Sequence, residues 1–140
     1  MRYRAGWLIP GHILALTHFE PVVTAGDFAN ITADTRHELE KATGSFHVLI
    51  DNRIIAERSV ASLDSMLQAA PALRHPQLRW IVVILPEAIK GQAGSMPIQR
   101  QGAIQLKLVD SLEAAFRHLE EMDSRLDGKR IDVSFFVNRT

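Results

Sequence analysis

Arg79-Trp80-Ile81-Val82-Val83-Ile84-Leu85-Pro86 decides the fold. Six apolar residues run without a break, and a proline closes the run. A strand with one wet face alternates apolar and polar residues. This one does not, so it is covered on both faces and belongs in the middle of a mostly parallel sheet. Working outward, Phe46-His47-Val48-Leu49-Ile50 is a strand of the same kind, ending at Asp51-Asn52. Ile104 to Val109 alternates, as an outer strand does. Between 46–50 and 80–85, Ser59 or Ser62 caps a helix over 60–70, with Val60, Leu63, Met66, Leu67 and Ala70 inward; Pro71 and Pro76 break it. Residues 87–103 hold three glycines, a proline and three glutamines, and read as a loop with one short helix.

Towards the N-terminus, Tyr3, Ala5, Trp7 and Ile9 alternate along 2–9. Pro10-Gly11 turns the chain, and 12–19 returns as an antiparallel partner. Thr24 and Asp27 form a capping box, followed by Phe28, Ile31, Thr35, Leu39 and Ala42 at helical spacing, with Gly44 as a left-handed cap. Towards the C-terminus, Asp110-Ser111-Leu112-Glu113 is a second capping box, and Leu112, Ala115, Phe116, Leu119 and Met122 continue a helix. After the Asp127-Gly128-Lys129 turn, Ile131, Val133, Phe135 and Val137 alternate as a terminal strand. The expected fold is α/β: a mostly parallel five-stranded sheet with an N-terminal hairpin, and helices at 24–43, 60–70 and 111–124 mainly on one face. Residues 1–127 form the domain and 128–140 a strand-like tail.

Sixteen basic and sixteen acidic residues leave a formal net charge of zero. This argues against a nucleic-acid or anionic-membrane footprint and leaves little repulsion against self-association. The absence of cysteine excludes disulfides, thiolate metal sites and a thiol nucleophile. Apolar residues after Met1-Arg2-Tyr3-Arg4 are interrupted at Pro10-Gly11, too early for a secretion signal. No run approaches the roughly 20 residues of a membrane helix. A cytoplasmic location is expected.

Four short motifs carry a resemblance: Trp7-Leu8-Ile9-Pro10-Gly11, Leu49-Ile50-Asp51, His75-Pro76-Gln77-Leu78-Arg79-Trp80, and Leu112 to Ala115. Over about residues 5–123 the chain resembles STAS-like domains, and in particular the stand-alone bacterial anti-sigma-factor-antagonist-like proteins. The resemblance implies a right-handed superhelix of βα units and a regulatory, non-catalytic role. Signalling members of the group carry a phosphorylated serine or threonine in an Asp-Ser-x-Gly-like turn after the third strand. Here that turn is Asp51-Asn52-Arg53-Ile54-Ile55, with neither hydroxyl nor glycine, so the switch does not carry over.

Ligand sites in α/β folds lie beyond the carboxyl ends of parallel strands. The candidates there are Asp51, Asn52, Arg53, Pro86 and Glu87, with Ser59 and Ser62 at a helix start. Asp51 also suits a turn former or a partner of Arg53. His12 and His18 would lie about 20 Å apart on one strand, too far for one metal, and His47 has no spaced carboxylate partner. Gly91-Gln92-Ala93-Gly94 lacks the lysine of a phosphate loop. No metal and no cofactor is expected. The chain reads as a non-catalytic regulatory or binding module for a protein partner or small ligand. The alternative is a small-molecule (lipid or nucleotide) carrier or hydrolase with loop 86–103 as a lid. A homodimer through the tail or an open sheet face is expected, because a monomer exposes few large apolar patches; the competing arrangement has the tail capping its own sheet.

Overall fold

The computed structural model describes residues 1–60 and 62–138. Ala61 of the expected second helix and the last two residues of the expected tail lie outside them. The strands are β1 (Tyr3–Ile9), β2 (Ile13–His18), β3 (Phe46–Asp51), β4 (Leu78–Ile84), β5 (Gln99–Gln101) and β6 (Ile104–Val109). The α-helices are α1 (Ala25–Leu39), α2 (Leu63–Ala69) and α3 (Leu112–Met122). The sheet order is β1-β2-β3-β4-β6-β5. β2, β3, β4 and β6 run parallel, while β1 and β5 pair antiparallel at the two edges.

The sheet is therefore mixed and six-stranded rather than mostly parallel and five-stranded. The unforeseen strand is β5, Gln-Arg-Gln, which carries no apolar signal. It exists because Gly102, at φ 61°, turns the chain back within two residues onto Ile104. A left-handed glycine in the first central position is what a tight type II′ hairpin needs.

β4 lies between β3 and β6, in the interior, and both its faces are buried. Ile81 and Val83 face one core with Leu14, Val48, Leu106 and Leu108, covered by Leu39 of α1 and Leu63 and Leu67 of α2. Trp80, Val82 and Ile84 face the other with Ile13, Ala15 and Leu49, covered by Ala115 and Leu119 of α3 and by Leu126. Two helices thus share one face and the third crosses the opposite one. The connection 85–103 also packs inward, with Ile89 and Ala93 buried against the α1/α2 face.

The expected terminal strand is instead a single 3-10 turn over Val133–Phe136. A strand sends neighbouring side chains to opposite faces. Phe135 and Phe136 both pack against the α3 side, with ring centroids 5.2 Å apart and Phe136 6.2 Å from Phe116. A turn permits this. It is capped by Asp132, whose Oδ1 accepts from Ser134 N at 3.0 Å, and leaves Val133 and Val137 in water. Arg4 clamps the turn by donating to the carbonyls of Ser134 and Phe135. The tail caps its own sheet.

The caps at Thr24 and Ser62 are reciprocal boxes, Thr24 with Asp27 and Ser62 with Ser65. Ser111 caps α3 by accepting from Ala114 N. Asp110 is drawn away to accept from Gly91 N, and Glu113 pairs with Arg117 four residues on, so no box closes there. Gly44 does not take the left-handed conformation. α1 stops earlier, where Lys41 N and Ala42 N bond the carbonyls three residues back and tighten the last turn.

Candidate functional site

The carboxyl ends of the parallel strands gather the expected residues, but the sheet divides them. On the α3 side lies a cleft of about 340 Å³ lined by Thr17, His18, Asp51, Arg53, Glu87 and Phe136, among others. Asp51 ends β3 and is buried. Its Oδ1 accepts from Arg53 N at 3.1 Å and Arg53 Nε at 2.9 Å. Its Oδ2 accepts from Arg53 Nη2 at 3.0 Å and from Thr17 Oγ1 at 2.9 Å. Asp51 raises the Arg53 pKa by this pairing. Burial lowers His18, opposed by Asp51 and Asp27. The carboxylate is fully engaged within the protein, and the Thr17 hydroxyl it holds is inaccessible at 1% exposure. Glu87 N donates to Arg53 O at 3.0 Å, which ties the turn after β3 to the turn after β4. This arrangement is a clamp on the strand ends, in which Asp51 acts as the turn former and Arg53 partner.

On the α1/α2 side, Asn52, Ser59 and Pro86 line a cavity of about 190 Å³ with Ile50, Met66 and Leu85. Ile50 and Met66 also line a larger groove of about 400 Å³. The groove exists because the helices stand apart. α1 packs over β1, with the Tyr3 hydroxyl donating to Asp34, and α2 is held towards the far edge, where Leu63 N donates to Gln99 Oε1 at 2.8 Å. α2 is only two turns long and ends at Pro71. Between them, Leu14 and Leu16 of β2 and Val48 and Ile50 of β3 form a floor. Phe28, Ile31, Met66 and Leu73 belong to the walls. Thr32 and Thr35 also line it, but their hydroxyls donate to the α1 carbonyls of Phe28 and Ile31, each at 2.8 Å. Ser62 stands outside both cavities, engaged in capping α2. Sequence periodicity places Phe28 inside. It is 46% exposed at the groove, because α1 sits at the sheet edge instead of over its middle.

A third cluster, at the opposite ends of the strands, was not legible in the sequence. His47 Nε2 lies 2.9 Å from Asp123 Oδ2, across 76 residues, so His47 does have a carboxylate partner. Arg125 binds the same carboxylate, at 2.6 Å from Nη2, and donates to Ser45 O. Arg125 holds the Asp123 carboxyl far below the usual range, with the His47 bond adding to this against burial. Burial lowers His47, opposed by Asp123. Ser45 contributes its carbonyl, and among the described residues the His47 ring holds no hydroxyl. Only the spatial meeting of β3 with the end of α3 creates the pair.

Among the described residues, no group of three histidine or acidic side chains is placed to hold a metal, and no helix is long and apolar enough to cross a membrane. Comparison of the chain with protein-family models, curated proteins and solved structures finds no match.

Proposed function

We propose that this protein is a non-catalytic binding module whose ligand is a small, largely apolar molecule held between α1 and α2. The observation that carries this is the groove itself. Its volume of about 400 Å³ lies within the roughly 300–1,000 Å³ typical of small-molecule sites, which are mostly apolar with a few polar groups. Its threonine hydroxyls are turned to helix carbonyls, so the lining favours hydrocarbon. The role agrees with what the resemblance to STAS-like domains implies, with a small ligand in place of a phosphorylated turn. Of the two earlier readings, this one keeps the module and takes the ligand class from the carrier. Loop 86–103 is not needed as a lid, since Ile89 and Ala93 are part of the core.

The test is the fluorescence of 1-N-phenylnaphthylamine, which brightens in an apolar site. We expect saturable enhancement in the native protein and its loss in Ala69→Trp, which fills the groove from an exposed position on α2. An unchanged signal in that variant, with native circular dichroism, would refute the site.

A second reading rests on the exposed apolar side chains Val22, Val23 and Phe28, at and before the start of α1. They would bury against a second copy and make the homodimer. Light scattering at micromolar concentration decides it: a dimer mass supports this surface, and a monomer mass removes it.

A further inference from the structure

The groove and the smaller cavity beneath the 52–60 turn share the lining residues Ile50 and Met66, so the two lie side by side on the same face of the sheet. The two ends differ in chemistry. The groove is hydrocarbon. The smaller cavity carries Asn52, whose carboxamide has no partner among the described residues, although its backbone N–H and carbonyl are fixed by Ile84 O and Ile55 N. A carboxamide offers donors and an acceptor together. Ser59 also lines this end, but its hydroxyl donates to Glu57 Oε1 at 2.6 Å. Among the described residues, no charged side chain lines either cavity. An ionised headgroup would enter without a counter-charge, which is strongly unfavourable, and a carboxylate would also meet the Glu57 charge beside Ser59.

From this we infer that the ligand is an uncharged single-chain amphiphile, its hydrocarbon chain between α1 and α2 and its hydroxyl or amide head on Asn52. This rests on the binding reading above and adds the headgroup to it.

Displacement of bound 1-N-phenylnaphthylamine at pH 7.5 tests it, using dodecan-1-ol, dodecanamide, dodecanoate and dodecylamine, which share one chain. We expect the alcohol and the amide to displace the probe at least about tenfold more effectively than either ion, the order of an unpaired charge taken out of water. In Asn52→Leu the probe should still bind, while dodecanamide weakens by roughly three- to tenfold, as for one lost hydrogen bond. Dodecanoate competing as well as the amide, or an unchanged amide affinity in Asn52→Leu, overturns the headgroup assignment while leaving the groove standing. Failure of the probe to bind the wild-type protein overturns the groove and this inference with it.

Discussion

At the scale of single residues, the buried Asp51 and the half-buried Asp123 organise the two ends of the sheet, and each end makes a prediction. Asp51 satisfies Thr17 and Arg53 together. Asp51→Ala leaves the buried Thr17 hydroxyl without its acceptor, and an unmet buried polar group costs about 1–3 kcal/mol. Urea unfolding should show that loss, whereas probe binding in the groove across the sheet should persist in the folded fraction. At the other end, burial lowers the pKa of His47, and burial likewise lowers His118, which packs edge-on against Trp80 at 4.4 Å. The native state therefore binds fewer protons than the unfolded chain. Stability from these groups is complete above the unfolded histidine pKa of about 6.5. It falls as pH drops below that value, until the lower folded pKa is passed. The urea midpoint should be lower at pH 5.5 than at pH 7.5, and His47→Gln should reduce the difference. An equal midpoint at both pH values would show that the imidazoles protonate freely in the fold.

At the scale of elements, α2 is the weak part. It has two turns, one capping box and two buried leucines, Leu63 and Leu67. Isolated helices of that length are not stable in water, so its packing and its cap hold it. Ser62→Ala should destabilise by about 1 kcal/mol through loss of the cap. Leu67→Ala should cost about 2–5 kcal/mol through the cavity it leaves. Both variants can be compared by thermal denaturation. A smaller effect for Leu67 than for Ser62 would mean that α2 is docked by its end rather than by its face.

At the scale of the whole molecule, the 3-10 turn at the C-terminus completes the second core. Phe135 and Phe136 stand where α3 leaves the sheet uncovered. A chain ending at Asp127 would expose apolar area on β1 and β2, and monomers rarely tolerate large patches of that kind. We expect that truncation to lower the melting temperature and to promote association in light scattering. A truncated chain as stable as the full one would show that the turn adds nothing to the core.

The sequence alone determined the parts that depend on neighbours along the chain. An unbroken apolar run marks β4, and a run interrupted by His47 marks β3, because a strand buried on both faces has no wet side. The alternation in β6, the Pro10-Gly11 hairpin and the Thr24 cap are equally local, whereas the structure chose Ser62 over Ser59 for α2 and Ser111 as a simple cap in place of an Asp110–Glu113 box for α3. It also pointed to Asn52 and Pro86 through their place after strand ends, and to Ser59 as a helix start, which the structure places at Ser62 instead. Only the tertiary structure decided what depends on distance across the fold. β5 has no apolar pattern and is a strand because β6 offers it hydrogen bonds. The tail becomes a turn because two adjacent phenylalanines must bury on one side. His47 meets Asp123 only where α3 ends beside β3. The groove follows from the separation of α1 and α2 on their shared face, which is set by what each packs against at opposite edges of the sheet, and no stretch of either helix records that separation.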